Sequence, residues 1–177
     1  MGINDNDLNS LQKFFGEVKM KDVMSTTIPH VYEDEDFSRV HKVFQETKTY
    51  YCIVLKRDET LSGLISHKYF YKTHAPRKFI EREAQYNVEL LSDPDILLDE
   101  GGFYSQQTLD SYILNKVMLK DPFTLEPDDP LQLAILKMAE KNISCIPIIT
   151  KKRLVSGVTT HTDVIRFLGK VLTLKKS

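Results

Sequence analysis

Thr160-His161-Thr162-Asp163 places a hydroxyl and a carboxylate three residues apart, where an apolar, extended run passes into a helical one. Two chemistries fit that spacing. In the first, the Thr hydroxyl caps the helix by accepting an N–H, and the acid sits near the positive helix end, a variant capping box. In the second, the carboxylate accepts hydrogen bonds from both hydroxyls of a ribose while free N–H groups at the helix start face a phosphate. The two do not exclude each other, and the tetrad by itself favours the cap, because such tetrads are common. His161 and Arg166 lie near the same helix start, and Lys120 precedes the strand that opens this half of the chain. Any one of these three reads first as a solvated charge.

Other chemistries find little support. The five histidines, His30, His41, His67, His74 and His161, include no pair at metal-ligand spacing with an acid or a cysteine. The seven glycines are scattered, so no Gly-rich phosphate loop is present. Neither a nucleophile elbow nor a Cys/His arrangement can be drawn, and the chain reads as a non-enzyme with no obligatory cofactor and no metal. A formal net charge of -1 supplies no basic field for nucleic acid or an acidic membrane. Lys68, Lys72, Arg77, Lys78 and Arg82 form one basic stretch, read as a solvated helix face. No apolar run approaches the roughly 18 residues of a membrane span, and Met1 to Met20 lacks the charged start and apolar centre of a signal peptide. The expectation is a soluble cytoplasmic protein, with Cys52 and Cys145 as buried small hydrophobes in a reducing compartment.

The elements that must position the tetrad occur twice. At an offset of 94 positions, Val23-Met24 falls on Val117-Met118, Asp34 on Asp128, Ser62-Gly63 on Ser156-Gly157 and His67 on His161. A period this long marks one supersecondary unit used twice. Each copy reads strand, helix, strand, strand, helix. In the second, Pro122 to Leu125 is a short strand, Asp129 caps a helix whose first residue is Pro130, and Leu131, Ala134, Ile135 and Met138 mark its buried face. Ile146 to Thr150 is an apolar strand, Lys151 to Arg153 a turn, Leu154 to Thr159 a strand, and His161 to about Val171 a helix. The first copy predicts Ile28 to Tyr32, Asp36 to Thr47, Tyr51 to Lys56, Thr60 to Ile65 and a helix from His67.

Two segments fall outside the repeat. Leu8, Leu11, Phe14 and Phe15 predict an amphipathic N-terminal helix in need of a surface. Between the copies, Pro76 can open a helix with Ile80, Ala84, Asn87 and Leu91 on one face, Gly101-Gly102 marks a loop, and Leu109, Tyr112 and Ile113 suggest a further short helix.

In their order and spacing, Val117-Met118, Asp128-Asp129, Ile146-Pro147-Ile148 and Gly157 to Asp163 resemble the motifs of a tandem cystathionine-beta-synthase (CBS) domain pair. The first copy departs from the pattern, with Ile53 in place of the strand proline and Tyr69 in place of the aspartate. The resemblance implies an α/β fold of two βαββα repeats about a pseudo-twofold axis, residues 18–74 and 112–171, forming one module with an insert at 75–111. It implies clefts between the repeats that take adenosine-containing ligands: AMP, ADP, ATP, cyclic di-AMP or S-adenosylmethionine. It further implies a homodimer that signals to a partner protein, while the balanced charge and the lack of a long apolar run predict no role for nucleic acid or a membrane. In that setting Thr160 and Asp163 bind ribose. His161, Arg166 and Lys120 are candidates for phosphate, and Phe123, Thr124, Ile146 and Pro147 would line the adenine slot. The equivalent site of the first copy is degenerate, because Ser66 keeps the cap but Tyr69 cannot accept two hydrogen bonds as a carboxylate does. Tyr50, Tyr51 or Tyr69 would then fill that cleft or stack on a base. The alternative is a structural or protein-interaction module whose ligand sites have decayed.

Overall fold

The computed structural model describes residues 4–66, 114 and 118–173. Tyr69, the helix expected from His67 and the 75–111 insert lie outside them. The chain divides into two compact units that cut across the repeat. One joins Met1–Ile28 to Phe123–Ser177, and the other is Pro29–Pro122.

In the Pro29–Pro122 unit, β1 (His30–Tyr32) runs parallel to β2 (Tyr51–Leu55), with α3 (Phe37–Thr47) as the crossover. Val40, Val43 and Phe44 give α3 an inward face at helical spacing. Antiparallel β3 (Leu61–Ser66) follows through a tight turn, and β4 (Leu119–Lys120) adds a fourth, short strand beside it. The run Cys52 to Leu55 is buried throughout, as its unbroken apolar character requires.

The other unit begins with α1 (Asp5–Glu17) and α2 (Met20–Val23), then takes α4 (Leu131–Lys141), antiparallel β5 (Cys145–Ile149) and β6 (Val155–Thr160), and α5 (His161–Thr173). Asn4 caps α1 through a full capping box with Asp7. Met20, Leu131, Ile146 and Ile148 are wholly buried, and Val23, Leu125, Ala134, Met138 and Val164 complete the core. The N-terminal segment thus supplies core to the second repeat. Phe14 stacks on Phe167 of α5 at 6.4 Å and Phe15 packs against the core, whereas Leu8 and Leu11 stay exposed, so only the C-terminal end of α1 finds the surface expected for it.

Two local expectations are corrected. The strand at Pro122 to Leu125 reduces to a parallel bridge between Leu125 and Ile148, since Pro122 has no N–H to donate. Asp129 does not cap α4. Its carboxylate accepts the N–H of Glu126 at 2.7 Å, tightening the turn, and the helix begins one residue after Pro130.

The repeat extends to backbone detail that side-chain identity hides. Lys48 and Asn142, which end α3 and α4, both take left-handed angles (φ 53° and 52°), as do Glu59 and Arg153 in the hairpin turns (φ 65° and 63°). The strand register shifts between Val54 and Leu55 and again between Ile148 and Ile149. Non-glycine residues seldom adopt such angles, so their recurrence marks a shared backbone path and not a shared side-chain chemistry.

Close approach explains the repeated glycine. A Cβ on Gly157 would lie 2.7 Å from Met24 Sδ and 2.8 Å from the Ser25 carbonyl oxygen, and one on Gly63 would lie 2.6 Å from Met118 Sδ and 2.8 Å from the Leu119 carbonyl. Met24 and Met118 are themselves repeat partners, so the segment leading into each repeat packs on a strand of the other. Gly157→Ala should therefore destabilise its unit by about 1–3 kcal/mol, read from the midpoint of a denaturant melt. Among the described residues, the Thr159 hydroxyl is without a hydrogen-bond partner at zero exposure. Thr159→Val should raise stability by about 1 kcal/mol in the same melt, because it removes an unpaired polar atom at nearly constant volume.

Candidate functional site

β6 and α5 meet at Thr160, and the chain closes a capping box there. The Asp163 N–H donates to Thr160 Oγ1 at 3.3 Å, and the Thr160 N–H donates back to Asp163 Oδ2 at 2.9 Å. The Thr160 hydroxyl adds a 2.6 Å bond to the same Oδ2. Asp163 Oδ1 accepts from Arg166 Nη1 at 2.9 Å, an i,i+3 pair along α5. The Asp163 side chain is 8% exposed and that of Arg166 61%, so a buried carboxylate is held by an arginine that reaches in from solvent.

Lone-pair counting sets what this carboxylate can still do. An ionised carboxyl offers about four acceptor sites, two per oxygen. Thr160 uses both on Oδ2 and Arg166 uses one on Oδ1. One position is left while Arg166 stays, and two are left on Oδ1 when it leaves. A vicinal diol that donates twice therefore competes with Arg166, not with Thr160.

Facing residues follow from strand register. Thr160 stands opposite Cys145, and Thr159 opposite Ile146. Cross-strand partners share a face, so Thr160 and Cys145 lie on one side of the sheet while Thr159 and Ile146 lie on the core side. Burial, with a smaller contribution from the Asp163 carboxylate, pushes the Cys145 thiol well above its ordinary range and keeps it neutral.

The other sequence candidates belong to several elements. His161 is the exposed first residue of α5, on the same turn as Asp163. Phe123 is half-buried against the core of this unit and Thr124 is half-buried beside it. Pro147 is buried on β5, where its carbonyl accepts from the Leu125 N–H at 3.2 Å. Ile146 is wholly buried among core side chains, so its packing role is the one observed. Lys120 is exposed on β4 of the Pro29–Pro122 unit, paired with Gly63. In that unit Ser66 and Tyr51, both half-buried, face each other across β3 and β2, occupying the places of Thr160 and Cys145. The Asp163–Arg166 pair was not anticipated as a pair, although i,i+3 spacing of opposite charges on a helix was its signal. Among the described residues no cluster of three or more metal-binding side chains forms, and no helix is long and apolar enough to cross a membrane.

The domain family described as "CBS domain" matches residues 20–72 and 114–170. A homoserine O-acetyltransferase from Methanohalobium evestigatum is 32% identical over 96 residues, 53% of this chain, and the match spans 20% of that protein's length. An uncharacterized protein from Methanocaldococcus jannaschii is 26% identical over 163 residues, covering 86% of this chain and 93% of its own. Two solved structures share the fold. The CBS domain pair of protein MJ0100 in complex with 5′-methylthioadenosine and S-adenosyl-L-methionine has a TM-score of 0.60 at 17% identity, covering 87% of this chain and 98% of its own. CBSX2 in complex with AMP has a TM-score of 0.64 at 16% identity, with the same two coverages, 87% and 98%. With two matched regions that together take up more than half its length and an α/β fold, the chain belongs to the CBS domain family.

Proposed function

We propose that the chain is a non-enzymatic regulatory module that binds an adenosine-containing ligand at the Thr160–Asp163 turn and signals to a partner protein. The observation that carries this reading is the state of Asp163. Its carboxylate is buried and aligned by Thr160, yet Oδ1 is engaged by an exposed arginine that can swing away. Support comes from two proteins of the same fold, one held with 5′-methylthioadenosine and S-adenosyl-L-methionine and the other with AMP. AMP, ADP, ATP, cyclic di-AMP and S-adenosylmethionine are the candidate ligands. Residues 18–74 and 112–171 act as one module carrying the 75–111 insert, and the module works as a homodimer. Binding regulates by shifting the population between two arrangements, which requires different ligand affinity in each. The first-repeat site is degenerate, since Tyr69 stands where the second repeat has Asp163.

A structural reading has one observation in its favour. The capping box around Asp163 is complete without any ligand, which is what a decayed site kept for its helix cap would show. Calorimetric titration separates the two. The sensing reading expects AMP, ATP or cyclic di-AMP to bind more tightly than about 1 mM, or ~4 kcal/mol, and rejects itself if none does. Asp163→Ala should lower stability by about 1 kcal/mol through the lost cap and weaken the bound nucleotide at least about tenfold, or ~1.4 kcal/mol. A variant that loses its cooperative melt altogether would assign Asp163 to the fold.

A further inference from the structure

Resting on that proposed site, we infer that Arg166 is its specificity-determining residue: it occupies the Asp163 acceptor until a ligand displaces it, and it then selects ligands that carry an anion next to the ribose. Three acceptor positions on Asp163 are already filled. Thr160 and Asp163 hold each other through the backbone of the helix start, so that arrangement cannot open without unwinding the first turn of α5. Among the described residues Arg166 is held by one bond, from Nη1, and its side chain is mostly in solvent. It is the group that must yield if two ribose hydroxyls are to donate to the carboxylate.

Displacement has a chemical consequence. The guanidinium loses its carboxylate partner just as a ligand arrives one turn away on the same helix. A nucleotide with a 5′-phosphate offers a replacement anion that the planar fork can engage through two N–H groups. A 5′-thioether nucleoside offers none, so it takes the carboxylate from Arg166 and returns nothing. The same ribose and adenine are thus bound unequally according to what the 5′ position carries. Lysine keeps the charge but lacks the fork, and methionine keeps most of the stem without the charge. These substitutions therefore separate the contributions of charge and shape.

The test compares AMP with 5′-methylthioadenosine, titrated calorimetrically into the full chain and into Arg166→Met, Arg166→Lys and Asp163→Ala. The unmodified chain should prefer AMP by at least about tenfold. Arg166→Met should bring the two affinities to within about threefold of each other by weakening AMP, while 5′-methylthioadenosine binds as well as before or better because Asp163 is released. Arg166→Lys should retain part of the preference, and Asp163→Ala should weaken both ligands. Raising salt should weaken AMP in the unmodified chain and have much less effect in Arg166→Met. If Arg166→Met weakens both ligands equally, or leaves the preference intact, the inference is overturned while adenosine binding at this turn still stands. If neither ligand binds the unmodified chain, the proposed site and the inference fall together. Exposure of the Arg166 side chain makes loss of fold an unexpected result, and thermal melts of each variant check it.

Discussion

The approach of the Met24–Ser25 segment to Gly157 is the constraint on which the second-repeat unit depends. Ser25 and Val158 exchange backbone hydrogen bonds at 2.8 and 2.9 Å, so the N-terminal segment finishes the open edge of β6. An open strand edge would leave donors and acceptors unpaired, and this one-residue bridge is possible only because Gly157 has no Cβ. From that seam the helices follow. Met20 and Val23 enter the core, the Lys21 ammonium meets the Asp128 carboxylate at 2.7 Å, and α1 is carried to α5, where Phe14 meets Phe167. The ion pair is exposed at both ends and raises the Lys21 pKa while lowering that of Asp128, mainly through their mutual hydrogen bond. Its effect is to fix register more than to add stability.

The strand carrying Gly157 also ends in Thr160, three residues further along. A single extended segment therefore joins the seam to the turn that holds Asp163. Side chains alternate along it, so Thr159 faces the core while Thr160 faces away, and the turn inherits its orientation from the strand. The helix cap and the candidate ligand acceptor are the same carboxylate, with one oxygen committed to the fold and the other shared with Arg166. This division explains how one residue can serve both stability and recognition.

Much of this was legible in the sequence. The 94-residue offset gave the repeat, apolar spacing gave α3 and α4, and the Thr-x-x-Asp tetrad gave the capping box at its observed position. What sequence could not display was the exchange between repeats. A pattern of periodic residues reports which face of an element is apolar but not which distant segment covers it, so Leu8, Leu11, Phe14 and Phe15 announced a need for a surface that only Phe14 and Phe15 find, against Phe167 and the core. Ile146 shows the same limit. An apolar strand residue can point to either side of a sheet, and only its pairing with Thr159 assigns it to the core. Asp129 was misplaced by local preference, since a carboxylate that can cap a helix can equally accept from Glu126 in the turn before it.

The crossed assembly also orders events during synthesis. Pro29–Pro122 is one continuous stretch, able to close its contacts as soon as it leaves the ribosome. The other unit cannot. Lys21 waits for a partner 107 residues away, and Ser25 for one still further along. Until Leu125, α4 and β5 are made, the apolar side chains of α2 and the C-terminal end of α1 lack the core they pack on, and closing so long a loop adds an entropic cost to the late step. The N-terminal segment is thus the first part of the chain to be made and among the last to find its place.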